Sequence, residues 1–84
     1  MNSENSLTLY IKEGCPFCNA AMDALDSKHV AYKKVEVRHD PRAMEQLEKI
    51  SGQSRTPTAA FQGDVLANFD VADLDPFLRK HKLV

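Results

Sequence analysis

Apolar and polar positions change rhythm several times along the chain, and each rhythm predicts an element. Leu7, Leu9 and Ile11 point to one side of a short extended run, Leu7–Lys12, with Thr8 and Tyr10 on the other. Apolar area on both faces suits a central strand covered on two sides. Glu13-Gly14 breaks the run. From Pro16 to about Lys28 the residues are helix formers, and Phe17, Ala21, Ala24 and Leu25 make a helical stripe. Tyr32–Val37 places Val35 and Val37 on one face opposite charges, a second strand. Asp40-Pro41 supplies a cap and a first-turn proline for the next helix. Met44, Leu47 and Ile50 form its apolar side, and Gly52 ends it.

The second half turns to short strands. Thr58–Phe61 reads as a strand, Gln62-Gly63-Asp64 as a hairpin turn and Val65–Ala67 as the returning strand. Asp70 offers an N-cap with Asp73 three residues on, and Leu74, Phe77, Leu78 and Leu83 give the last helix its apolar side. Pro76 interrupts that pattern, so a short turn at Asp70–Leu74 followed by a fresh helix capped by Asp75 is expected. The order β-α-β-α-β-β-α demands a right-handed parallel crossover and then an antiparallel hairpin. An α/β fold follows, with a four-stranded mixed sheet and helices on both faces. Residues 1–6 are polar and aperiodic and read as a flexible tail ahead of one domain over 7–84.

Composition narrows the function classes. Eleven basic residues against twelve acidic leave no positive excess for a polybasic nucleic-acid binder. No apolar run approaches the ~20 residues of a membrane span, and the N-terminal residues lack a signal-peptide pattern. A cytoplasmic monomer without nucleic-acid or membrane partners is the expectation. Two cysteines are too few for the disulfide framework of a small secreted domain. A close pair in a reducing compartment points to catalysis or metal binding. A zinc site would need further ligands, and His29, His39 and His81 are scattered as ordinary surface residues.

The pair Cys15-Pro16-Phe17-Cys18 sits at a strand-to-helix junction. The free N–H groups and positive dipole end of a helix N-terminus stabilise a thiolate there. Lys12, three residues upstream, adds positive charge. Cys18 lies one helical turn on, where its sulfur reaches the first and is more buried. The asymmetry assigns attack to Cys15 and resolution to Cys18.

The stretch Lys12-Glu13-Gly14-Cys15-Pro16-Phe17-Cys18 resembles the active site of dithiol glutaredoxins, which usually read C-P-Y-C after such a strand end. Arg55-Thr56-Pro57 resembles their second motif, in which a cis-proline faces the cysteines. Asp70, after the returning strand, resembles the acid that caps their last helix. The order of elements matches over residues 7–83. The resemblance implies a thioredoxin-like fold and a glutathione-dependent disulfide oxidoreductase, with glutathione as co-substrate and no tightly bound cofactor. Disulfide-containing or glutathionylated proteins would be its other substrates. It also implies a glutathione site made by Lys12, Phe17, Thr56, Pro57 and Asp70.

Two departures stand out. The family usually carries Gly-Gly and two acids before the last helix, whereas this chain reads Ala67-Asn68-Phe69-Asp70-Val71. Without glycine a ligand approaches the backbone less closely, so altered glutathione binding is expected. Met44 falls where the family places a glycine-carboxylate ligand, leaving Arg38, Arg42 or Arg55 as substitutes. A thioredoxin-like electron donor reduced by a flavoenzyme is therefore an open alternative. An iron–sulfur cluster carrier is another, against which Pro16 counts. A glutathione transferase N-terminal domain would show Glu-Ser after the returning strand, which is absent here.

Overall fold

The computed structural model describes residues 7–84; the tail expected at residues 1–6 lies outside them. The elements run β1 (Leu7–Ile11), α1 (Pro16–Ser27), β2 (Tyr32–Glu36), α2 (Pro41–Ser51), β3 (Thr58–Phe61), β4 (Asp64–Leu66) and α3 (Val71–Lys80). The strands form one mixed sheet in the order β2-β1-β3-β4. β1 pairs parallel with β2, Leu7 opposite Tyr32, and antiparallel with β3, Leu9 opposite Ala59. This is the thioredoxin-like α/β arrangement that the sequence predicts.

The alternation in β1 divides the core. Leu7, Leu9 and Ile11 pack with Cys18, Ala21 and Leu25 of α1 and with Leu74, Phe77 and Leu78 of α3. Tyr10 faces the other way, onto Val37 and Leu47 of the α2 side. β1 is thus covered on both faces, and its C-terminal end is fixed where α1 begins. Among the described residues no helix is long and apolar enough to cross a membrane.

Four local expectations need correction. α3 is one helix through Pro76. Pro76 is the sixth helical residue, so its missing N–H deprives only the carbonyl of Ala72, and both residues are exposed to water. The hairpin turn is two residues, because Asp64 already pairs with Phe61. Gln62 and Gly63 have φ of 49° and 85°, the type I′ geometry whose twist matches the strands. Phe17 is not part of the buried stripe of α1; it is 61% exposed. His81 is no ordinary surface residue: its side chain is only 15% exposed. It sits edge-on to the rings of Phe61 and Phe77, with Nε2 2.8 Å from Asp64 Oδ2.

Candidate active site

The chain leaves β1 at Ile11 and turns sharply through Gly14, whose φ is +85°. The N–H of Cys15 donates to the Lys12 carbonyl at 3.1 Å and closes that turn. Cys15 has extended backbone and is the N-cap of α1, with Pro16 as the first helical residue. Its sulfur occupies the place of a capping oxygen: the Cys18 N–H donates to Cys15 Sγ at 3.3 Å. Cys15 is partly exposed and Cys18 fully buried, and both are free thiols.

The two thiols ionise differently. Burial pushes Cys15 up, but hydrogen bonds from the Cys18 thiol and N–H, the Thr56 side chain and the Phe17 N–H outweigh it and hold Cys15 below the usual thiol value. Cys18 is raised, first by burial, then by giving its proton to the Cys15 sulfur and by repulsion from a Cys15 thiolate; Thr56 and the Lys12 N–H pull the other way. Hydrogen bonds from the helix start and from Thr56 account for the low Cys15 pKa; the Lys12 backbone acts on Cys18 instead.

Thr56 and Pro57 come from the α2–β3 turn. The Thr56–Pro57 peptide is cis. The Thr56 side chain lowers the pKa of both thiols, and Pro57 is buried with its carbonyl accepting the Phe69 N–H at 3.1 Å. The Ala67-Asn68-Phe69 stretch is unlike what its composition suggests. Asn68 adopts φ +49°, the left-handed conformation usually left to glycine. Phe69 is 4% exposed and packs into the core with α1 and α3. The aromatic ring therefore does not stand over the thiols. Beside them lies a pocket of about 240 Å³ lined by Phe17, Asn68, Phe69 and Asp70. A larger depression, about 500 Å³, lies at the other end of α1 among Lys28, Asp75, Arg79 and Val84. It is remote from the sulfurs and crossed by the Lys28–Asp75 ion pair.

The structure thus brings Cys15, Cys18 and Thr56 together, with Pro57 following Thr56 in the chain. Phe17 and Asp70 form the adjoining pocket, and Lys12 stands half-buried at the end of β1. Asp70 is the N-cap of α3, where its N–H donates to Asp73 Oδ2 at 3.2 Å. Arg38, Arg42 and Arg55 are exposed, and Met44 packs in the α2 cluster.

Two supporting residues escaped sequence inspection. Glu36, at the end of β2, takes backbone N–H bonds from Glu13 and Arg38 on Oε2, at 2.9 and 3.0 Å, and from His39 on Oε1 at 2.9 Å. These bonds, with the Glu13 one strongest, outweigh its burial and lower its pKa to about 2. Glu36 thereby ties the loop before Cys15 to the loop before α2. Thr58 is the other, a fully buried hydroxyl just past Pro57. A lone acid at a strand end and a threonine opening a strand were their only signals in sequence.

The glutaredoxin family model matches residues 7–66. An uncharacterized glutaredoxin-like 8.6 kDa protein encoded in the rubredoxin operon of Clostridium pasteurianum is 27% identical over 74 residues, covering 88% of this chain and 99% of that protein. A thioredoxin-like protein of known crystal structure superposes with a TM-score of 0.79 at 29% identity, over 87% of this chain and all of that one (100%). A buckwheat glutaredoxin in complex with glutathione gives 0.71 at 19% identity, over 96% of this chain and 74% of that one; at that identity the likeness is one of fold. The family match spans both the cysteine pair and the Thr56–Pro57 turn, and the chain belongs to the glutaredoxin family of thiol–disulfide oxidoreductases.

Proposed function

We propose that residues 7–84 act as one glutathione-linked thiol–disulfide oxidoreductase in which Cys15 attacks and Cys18 resolves. The observation that carries this reading is the opposite displacement of the two thiols: Cys15 lowered at the helix start, Cys18 raised behind it. At neutral pH the exposed sulfur is the better nucleophile.

The Cys15 thiolate attacks one sulfur of a substrate disulfide. A new S–S bond forms, the old one breaks, and the displaced thiolate leaves and takes a proton. With a glutathionylated protein, attack on the glutathione sulfur leaves glutathione on Cys15. A second glutathione thiolate then attacks that sulfur, restoring the Cys15 thiolate and releasing oxidised glutathione. With a protein disulfide, Cys18 attacks Cys15 instead, loses its proton, and expels the reduced protein. Forming the mixed disulfide discharges Cys15, which removes two of the causes that hold the Cys18 proton on. Cys18 becomes easier to ionise at the step that needs it.

Glutathione carries two carboxylates and an ammonium group. Thr56 beside the sulfurs suits its cysteinyl part. Lys12, with Arg38, Arg42 or Arg55, offers cations for a carboxylate. Asp70 and the start of α3, next to Phe17, suit its γ-glutamyl end. The inward turn of Phe69 and the left-handed backbone of Asn68 support this reading, since they leave that end open despite the missing glycines.

A thioredoxin-like electron donor reduced by a flavoenzyme is the second reading, favoured by the altered Ala67-Asn68-Phe69 stretch and by the likeness to a thioredoxin-like protein. Turnover of a glutathionylated peptide with glutathione plus glutathione reductase, against thioredoxin reductase alone, separates the two. The first reading expects turnover with glutathione; turnover with thioredoxin reductase only overturns it in favour of the second.

A further inference from the structure

Past Leu66 the pairing of β3 with the chain that follows β4 slips by one residue. Ala59 lies opposite Leu66, Ala60 opposite Val65 and Phe61 opposite Asp64. Continued regularly, Thr58 would face Ala67 and Pro57 would face Asn68. Instead the Phe69 N–H donates to the Pro57 carbonyl at 3.1 Å, and the Asn68 N–H donates to Thr58 Oγ1 at 3.2 Å. One extra residue is accommodated, and Asn68 has a positive φ, as one residue of a G1-type bulge does.

At the slip a side-chain hydroxyl takes an N–H that a regular ladder would give to a carbonyl. Thr58 Oγ1 also donates to the Arg55 carbonyl at 2.9 Å and accepts Gln53 Nε2 at 3.2 Å. One donor and two acceptor sites are all a hydroxyl has, and all three are used. Gln53 is held in turn: its Oε1 accepts the Arg55 N–H at 2.7 Å, and its Nε2 donates to Ser51 Oγ at 2.8 Å. Ser51 Oγ is 2.6 Å from the Leu47 carbonyl in α2. A chain of hydrogen bonds thus runs from the end of α2 through Gln53 to Thr58, and from there to the Arg55 carbonyl on one side and the Asn68 N–H on the other.

We propose that Thr58 is the positioning residue of this site: its buried hydroxyl sets the spacing between the Arg55–Pro57 turn and the Asn68–Asp70 segment, between which the substrate is bound. The proposal rests on the function above for what is bound there. It does not rest on it for the coupling of the two segments. The Thr58 hydroxyl is fully used by Arg55, Gln53 and Asn68. Its effect falls on binding more than on the reactivity of Cys15, which is lowered mainly by groups of α1, the Cys18 thiol first and then the Cys18 N–H.

The test compares Thr58→Val, which keeps shape and loses the hydroxyl, with Thr58→Ser, which keeps the hydroxyl. In Thr58→Val the amide protons of Asn68 and Phe69 should exchange about tenfold faster or more, while that of Leu9 in β1 is unchanged. KM for a glutathionylated peptide should rise about tenfold, the effect of one net hydrogen bond. kcat and the rate of Cys15 alkylation should stay within about threefold, and Thr58→Ser should restore the wild-type values. Unchanged exchange at Phe69, an unchanged KM, or a Thr58→Ser as impaired as Thr58→Val overturns the proposal. Equal acceleration at Leu9 also overturns it, since the role would then be global stability. Should wild type not turn over the glutathionylated peptide, the proposed function fails; KM is then read on a protein disulfide, and the exchange result stands independently. Should Thr58→Val not fold, Gln53→Ala, which removes one of the three bonds, is read by the same criteria.

Discussion

The N–H of Cys18 points at the sulfur of Cys15 from 3.3 Å, so the helix that carries the dithiol is capped by the first thiol of the pair. The capping N–H thus makes one of the hydrogen bonds that lower Cys15, beside those of the Cys18 thiol and Thr56. A sulfur that satisfies helix-end N–H groups does so best as a thiolate.

Alkylation against pH should therefore show Cys15 modified well ahead of Cys18 at pH 6. Thr56→Val, which removes a hydroxyl that helps hold Cys15 low, should raise the Cys15 pKa. Absorbance of the thiolate against pH measures it. Initial modification of Cys18, or a Cys15 pKa unmoved by Thr56→Val, would contradict the hydrogen-bond account.

Phe17 is exposed and lines the pocket beside the thiols. Phe17→Ala should leave stability within about 0.5 kcal/mol, as for an ordinary surface substitution, while raising KM for a glutathionylated peptide severalfold. A large loss of stability with unchanged KM would mean that the ring serves packing.

Phe69 makes the reverse case. Phe69→Ala removes a ring buried between α1 and α3. It should cost about 3–5 kcal/mol, the range for truncating a buried phenylalanine, and should not improve glutathione binding. A urea denaturation midpoint and a glutathione KM on the same variant decide it.

Glu36 makes stability depend on acid. Its folded pKa of about 2 lies below the ordinary 4.5. The folded state thus favours the ionised form, and this contribution is complete above about pH 5. It is lost as pH falls through 4.5 towards 2, because the unfolded chain takes up the proton first. Asp64 and Asp75, also lowered by their cationic partners, act in the same direction. Glu36→Gln should flatten the fall in urea midpoint over this window relative to wild type. An identical slope would mean that Glu36 is not the clamp between the two loops.

Much of this was legible in sequence because it is local. Two-residue periodicity placed β1 and its two faces, and Asp40-Pro41 and Gly52 bounded α2 at its observed ends. The cysteine pair and Thr56–Pro57 were visible from their residue types. What escaped depends on partners far apart in the chain. Glu36 meets an amide 23 residues away, and Thr58 one 10 residues away. Phe17 is exposed and Phe69 buried because helical phase and a bulge decide which aromatic turns inward. Pro76 was read as a break because its exposure, which lets water satisfy the freed carbonyl, is set by tertiary packing.

The division of labour between the two cysteines is the central claim. It is tested by turnover of a glutathionylated peptide with glutathione as the sole reductant, in Cys15→Ser and in Cys18→Ser. Cys18→Ser should remain active, since a second glutathione releases the first from Cys15, and Cys15→Ser should be inactive. Activity surviving in Cys15→Ser, or lost in Cys18→Ser, would contradict the account.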